Sequence, residues 1–156
     1  LPGLNASAAA EQVDFSKKMR IVLHVSRITS EAQTTARFWI SESVPTGAMG
    51  GKGIGIEIAN LTLSGVSYGS SVAAVDLGTT MVSPQGYMVE IIHDPTVPKI
   101  EWYVNGVLAG TQTTSAKIPQ AQTGNCYLGI GIINGIAGGT AAYLDGYCAY
   151  IWQKFP

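Results

Sequence analysis

The sequence predicts an all-β fold, specifically a two-sheet antiparallel β-sandwich. Apolar and polar residues alternate along about ten short segments, turn-forming residues cluster between these segments, and no segment shows convincing helical periodicity. A chain of 156 residues with 46% hydrophobic residues can bury one core, so a single domain is expected. We place the β-sandwich domain at residues 14–156 and interpret the small, polar residues 1–13 as an N-terminal arm or linker.

The first strands are predicted by period-2 alternation of apolar residues. This pattern covers residues 19–25, 36–40 and 54–58, each with one apolar face. Residues 72–77 and 87–92 are largely apolar on both faces, which predicts central strands that are covered on two sides.

The strongest local signal is a β-hairpin over residues 100–113. Alternating apolar residues lead into Asn105-Gly106, a dipeptide that readily adopts the two positive φ angles of a tight primed turn. Two long runs at residues 126–134 and 141–153 supply the last strands.

The C-terminal half of the chain resembles the concanavalin A-like jelly rolls, in particular laminin-G-like and pentraxin-like modules. The shared features are an Asp turn at Asp94, a Tyr-x-Asn-Gly turn that starts at Tyr103, an LxIG-type strand at residues 128–131 and a closing strand introduced by residues 144–146. The resemblance implies a jelly-roll sandwich and favours a role in recognition, but this fold carries many functions.

Charge and hydropathy exclude several classes of protein. Nine Lys and Arg against ten Asp and Glu provide no basic surface for nucleic acid. No apolar stretch approaches the roughly 18 residues of a membrane span, so no membrane insertion is expected. A surface with so little charge suits an extracellular, cell-surface or virus-particle protein.

No catalytic constellation stands out. Glycosidases need paired carboxylates, and laminarinase-type jelly rolls carry an E-x-D-x-(x)-E strand, but the nearest segment here, residues 53–60, offers Glu57 alone. Residues 65–69 (GVSYG) match a nucleophile elbow without the helix that must follow it, so we interpret them as a glycine-flanked turn. We therefore expect that the protein is not an enzyme.

Outward-facing aromatic residues are the candidate ligand-binding groups, because the apolar faces of sugars stack on aromatic rings. Trp39 and Tyr103 are out of phase with their apolar neighbours, and Tyr68 lies in a predicted turn rich in Gly and Ser. The alternative is that Trp39 and Tyr103 are ordinary packing residues.

The resemblance also implies a candidate calcium site. Asp94, Asn134 and Asp145 would supply oxygen ligands from loops, although no acidic cluster accompanies them, and the alternative is that they form turns. No other cofactor is expected.

Cys126 and Cys148 lie in the two final predicted strands. If these strands are neighbours, a disulfide between the two residues would staple the C-terminal edge of the sandwich. Two buried thiols are equally consistent with the sequence.

On these grounds the favoured function is a non-catalytic module, outside the cell or on a virus particle, that binds a glycan or a surface receptor. Fibre, spike and carbohydrate-binding domains are examples of such modules. The alternative is a structural subunit of a capsid, tube or filament that assembles through its N-terminal arm. We expect a homo-oligomer or a larger assembly.

Overall fold

A computed structural model describes residues 13–27, 34–42, 49–82, 85–121, 126–134 and 144–153. The expected arm covers residues 1–13, of which residues 1–12 lie outside the described residues. The described part contains one 3-10 turn, at Ser115–Lys117, and ten β-strands: β1 (Met19–Arg27), β2 (Thr34–Ser41), β3 (Gly53–Ala59), β4 (Thr62–Tyr68), β5 (Val72–Thr80), β6 (Gly86–Asp94), β7 (Lys99–Val104), β8 (Val107–Gln112), β9 (Tyr127–Asn134) and β10 (Leu144–Gln153).

The ten strands form two antiparallel sheets, which confirms the predicted β-sandwich. Sheet A has the order β10-β1-β6-β7-β8, and sheet B has the order β5-β4-β3-β2-β9. Strands of both sheets contribute alternate apolar side chains to one core between the sheets, because successive side chains of a strand point to opposite faces. The indole of Trp102 on β7 crosses this core and donates its Nε1–H to the carbonyl oxygen of Gly55 on β3, at 3.1 Å.

Two hairpins turn on residues with positive φ. In the predicted hairpin, φ is 50° at Asn105 and 82° at Gly106, so the prediction is confirmed. The turn between β3 and β4 has φ of 48° at Asn60 and 73° at Leu61. Sequence reasoning did not single out this second turn, because leucine rarely adopts positive φ.

The prediction of central, doubly covered strands is wrong for residues 72–77. They belong to β5, which is an edge strand of sheet B, and the side chain of Val72 is 49% exposed. Residues 87–92 do lie centrally, on β6 between β1 and β7, yet Met88 on the outer face is half exposed. A two-layer sandwich has no third layer to cover the outer faces.

The GVSYG segment lies largely within β4 and is not a turn. Gly65 faces the core, where a Cβ atom would lie 2.4 Å from the Trp102 ring. Ser67 is fully buried, so its hydroxyl is not displayed as a nucleophile would be. No helix in the described part of the chain is long and apolar enough to cross a membrane.

Candidate functional site

The outer face of sheet B carries a row of polar residues that runs across four neighbouring strands. We call it the polar row: Arg37, Glu57, Ser64 and Asp76, in which each residue is the direct cross-strand partner of the next. Neighbouring strands lie about 4.8 Å apart, so the row spans roughly 14 Å. It provides one cationic, two anionic and one hydroxyl group on a single surface.

An ion pair fixes the Arg37 end of the polar row. Arg37 Nε donates to Glu57 Oε2 at 2.7 Å, and the Arg37 side chain is only 12% exposed. Its guanidinium carbon lies 5.3 Å from the centroid of the Trp39 ring. Asp76 at the other end is exposed, and its Oδ1 accepts the Gly78 N–H at 2.8 Å.

A small apolar cluster lies beside the polar row on the same outer face. It consists of Trp39, Met49 and Val66, which are buried, with Tyr68 partly buried against them. We call these four residues the Trp39 cluster. It is separate from the core, because Trp39 and Val66 point away from the opposite sheet.

Two glycines on β3 make room for the Trp39 cluster. A Cβ atom on Gly55 would lie 2.7 Å from Trp39 Cδ1, and one on Gly53 would lie 3.0 Å from Met49 Sδ. The alternation of Gly with Ile in residues 53–56 is therefore the sequence signal for this surface: Ile faces the core, and Gly leaves space outside.

The structure brings together two of the three predicted ligand-binding residues. Trp39 and Tyr68 lie in the Trp39 cluster, whereas Tyr103 lies on the outer face of sheet A, on the opposite side of the sandwich. Trp39 is only 1% exposed, so its ring faces are packed rather than displayed. Tyr68 is the last residue of β4 and does not lie in a loop.

Tyr103 lies among charged residues on sheet A. Its hydroxyl donates to Glu101 Oε2 at 3.4 Å, and Glu101 is also paired with Lys99 at 3.0 Å. Burial and the neighbouring Glu101 carboxylate raise the pKa of the Tyr103 hydroxyl.

Sequence reasoning missed Arg37, Ser64 and Asp76. It searched for paired carboxylates along one strand, but Glu57 and Asp76 face the same side from β3 and β5, with Ser64 of β4 between them. Two strand spacings separate their backbones by roughly 10 Å. The juxtaposition also depends on a register shift between Leu63 and Ser64, which no local sequence signal marks.

The three candidate calcium ligands do not converge. Asp94 follows His93, which pairs with Met19 at one end of β1, whereas Asp145 pairs with Ser26 near the other end. Seven residues of strand separate these points by about 23 Å. The side chains of Asn134 and Asp145 lie outside the described residues.

Asp94 instead organises a turn, as the alternative interpretation expects. Its Oδ1 accepts hydrogen bonds from the amide and hydroxyl of Thr96, and its Oδ2 pairs with Lys18. Burial raises the pKa of Asp94, but the hydrogen bonds from Lys18, Thr96 and Val97 outweigh it and hold the pKa well below the ordinary value. In the described part of the chain, no group of three or more His, Cys, Asp or Glu side chains could hold a metal ion.

Of the two alternatives left open for Cys126 and Cys148, the disulfide is not formed. Cys126 is a free thiol immediately before β9 of sheet B, whereas Cys148 belongs to β10 of sheet A, so the two final strands are not neighbours in one sheet. Burial, with smaller contributions from Glu42 and Asp14, raises the pKa of the Cys126 thiol to about 11.

No protein-family model and no curated protein sequence matches this chain. Solved structures do match. A β-glucanase from Bacillus licheniformis superimposes with a TM-score of 0.63 at 20% identity, over 94% of this chain and 69% of that one. The CBM40 module of a Ruminococcus gnavus sialidase, bound to α2,6-sialyllactose, superimposes with a TM-score of 0.52 at 13% identity, over 72% of this chain and 65% of that one.

A botulinum neurotoxin type C chain, described as interacting with two ganglioside molecules, gives a TM-score of 0.60 at 13% identity, over 88% of this chain. The present chain spans only 33% of the neurotoxin chain. At these identities the likeness establishes the fold, a concanavalin A-like jelly-roll sandwich, and the expected resemblance is confirmed.

The expectation that the protein is not an enzyme is wrong, because the structure is similar to that of a β-glucanase. A β-glucanase is an enzyme built on this fold, so a chain poor in charge and without a single-strand carboxylate pair is not excluded from catalysis.

Proposed function

We propose that the protein binds a carbohydrate through the outer face of sheet B. The observation that carries this proposal is the contact between an apolar patch and a polar strip on one surface. The Trp39 cluster lies beside the polar row, and the two are joined where Arg37 covers the Trp39 ring. Carbohydrates present the complementary combination of apolar ring faces and hydroxyl groups.

The charged side chains of this face can form hydrogen bonds with the hydroxyl groups of a carbohydrate. A carboxylate such as Glu57 accepts a hydrogen bond from a hydroxyl, while the guanidinium of Arg37 donates to the oxygen of the same or the next hydroxyl. Ser64 can do both. Tyr68, which is only partly buried, supplies the adjoining apolar surface on β4, whereas its neighbour Val66 is buried.

The structural neighbours support the same class of ligand. The CBM40 module is bound to sialyllactose, the neurotoxin chain is described as interacting with gangliosides, and the third neighbour is a glucanase. A location outside the cell or on a virus particle, and assembly through residues 1–13, stay predictions.

A glycan array followed by isothermal titration calorimetry tests the proposal. The wild-type protein should bind members of the array, and Tyr68→Ala should weaken binding about tenfold, which corresponds to about 1.4 kcal/mol for one aromatic contact. Tyr103→Ala, on the opposite sheet, is the matched control and should retain affinity. Equal losses for the two variants, or no binding by the wild type, would refute the proposed site.

Hydrolysis of the bound glycan is a second candidate function, favoured by the placement of Glu57 and Asp76 on one face. Glycosidases use two carboxylates, and inverting enzymes separate them by roughly 6.5–9.5 Å to admit a water molecule. Release of reducing sugar from β-glucan that is lost in both Glu57→Gln and Asp76→Asn would support this function. Binding of the glycan without release of reducing sugar would exclude hydrolysis and leave carbohydrate binding as the function.

A further inference from the structure

In the part of the chain that the structure describes, two N–H groups on the outer face of sheet B are buried without a hydrogen-bond partner. They are Nη1 of Arg37 and Nε1 of Trp39. Buried donors in folded proteins are almost always paired, because an unpaired donor loses its bond to water and gains nothing in exchange. A bound ligand that supplies acceptor atoms would satisfy both groups.

Both donors lie above the same part of β3. The Arg37 guanidinium carbon is 5.3 Å from the Trp39 ring centroid, and Arg37 Nε is bonded to Glu57. Trp39 Cδ1, the atom bonded to Nε1, lies over Gly55, where a Cβ atom would approach it to 2.7 Å. The two unpaired donors thus belong to residues that pair with neighbouring positions of β3, Arg37 with Glu57 and Trp39 with Gly55.

We propose that this part of the outer face of sheet B receives a neutral sugar, whose oxygen atoms accept from Arg37 Nη1 and Trp39 Nε1 while one of its hydroxyls donates to Glu57. The inference rests on the proposed carbohydrate-binding function and names the recognising atoms and the ligand class. A hydroxyl both accepts and donates, so it matches a surface on which donors and an acceptor lie on neighbouring strands.

The charge of the polar row selects against acidic sugars. Glu57 already neutralises Arg37, and Asp76 adds a second carboxylate to the same face. An anionic sugar would meet this excess of negative charge, whereas a neutral sugar meets only complementary hydrogen-bonding groups.

Ligand entry requires the Met49 side chain to move, because Met49 packs against Trp39 in the same cluster. Methionine is unbranched and flexible, so moving its side chain costs less free energy than moving an aromatic or β-branched side chain. Because residue 53 is glycine, the Met49 sulfur packs against backbone at this position, and no side chain of residue 53 holds it in place.

Trp39→Phe is the decisive variant, because it keeps an aromatic ring in the cluster and removes only the indole N–H and part of the ring. Its affinity for neutral glycans should fall about tenfold, the loss expected for one hydrogen bond in a dry site. Arg37→Lys keeps the charge but removes Nη1, and should show a similar loss. Trp152→Phe, at a half-exposed tryptophan on sheet A, is the control and should bind as the wild type does.

Nuclear magnetic resonance provides a measurement that would not change on ligand addition if Trp39 had only a structural role. The indole N–H resonance of Trp39, identified by its absence in Trp39→Phe, should shift when the neutral array members that bind, with cellotetraose as the first probe, are added. Sialyllactose should leave it in place. If glycans bind but the resonance does not move and Trp39→Phe and Arg37→Lys retain affinity, the inference is overturned while carbohydrate binding stands.

A preference for sialylated over neutral glycans would overturn the assignment of ligand class alone. If no glycan binds the wild type, the proposed function itself fails, and the inference fails with it. A thermal melt of each variant separates lost affinity from lost folding, and either Trp39→Phe or Arg37→Lys suffices for the test.

Discussion

Replacing Gly65 with alanine should destabilise the sandwich strongly, because this glycine of sheet B packs directly against the Trp102 ring of sheet A. A Cβ atom at position 65 would lie 2.4 Å from Cδ2 and Cε2 of Trp102 and 2.8 Å from its Nε1. These atoms belong to a rigid ring that is fully buried, so neither side can yield without moving a strand.

The magnitude follows from three terms. Overpacking in a filled core costs about 1–3 kcal/mol. A shift of the ring that breaks the hydrogen bond from Trp102 to Gly55 leaves a buried N–H unpaired, at a further cost of about 1–3 kcal/mol. Alanine recovers about 0.5–1 kcal/mol through lower chain entropy in the unfolded state. The net loss should be about 1–5.5 kcal/mol.

Urea denaturation followed by tryptophan fluorescence measures this loss. With an m-value of about 2 kcal/mol per molar, a loss of about 3 kcal/mol lowers the transition midpoint by roughly 1.5 M. Ser64→Ala changes the adjacent residue on the outer face and should stay within about 0.5 kcal/mol of the wild type. Equal midpoints for Gly65→Ala and Ser64→Ala would refute the argument that the Trp102 ring fixes the sheet spacing.

Three further changes test other parts of the structure. Leu61→Gly should raise the free energy of unfolding by up to about 1 kcal/mol, because it relieves a leucine at φ 73°; a loss would contradict the strained turn. Burial lowers the pKa of His93, so its neutral form favours the folded state, and stability should fall as the pH drops below about 6.5. That slope should be smaller in His93→Gln, as urea titrations at several pH values would show, and an unchanged slope would contradict the assignment to His93. In a Cys148→Ser variant, Cys126 should react with iodoacetamide at pH 8 far more slowly when folded than when unfolded, because its pKa is raised to about 11; equal rates would contradict its burial.

Local patterns predict most of the strands but not β4, whose GVSYG segment resembles a glycine-flanked turn. Period-2 alternation placed β1, β2, β3 and β6 because each buries one face, and Asn105-Gly106 marked its hairpin because these residue types readily adopt positive φ. The Asn60–Leu61 turn carries no comparable signal, since its second residue is held at positive φ by the pairing of β3 with β4.

The candidate site could be predicted only in part, because its assembly is non-local. Alternation correctly placed Trp39 and Tyr103 out of phase with the core. It could not show that β2 and β7 belong to opposite sheets, which sends these two side chains to opposite surfaces. Nor could it show that Gly55 on β3 leaves space in which Trp39 packs against the outer face of its own sheet and becomes buried.

Chemical-shift mapping with a bound glycan tests the central claim most directly. Amide resonances of the isotopically labelled protein would be followed during titration with the glycan that the array identifies. The account predicts that the largest shifts fall on the outer face of sheet B, at Arg37, Glu57, Ser64 and Tyr68. Largest shifts on the outer face of sheet A, around Lys99, Glu101 and Tyr103, would contradict it.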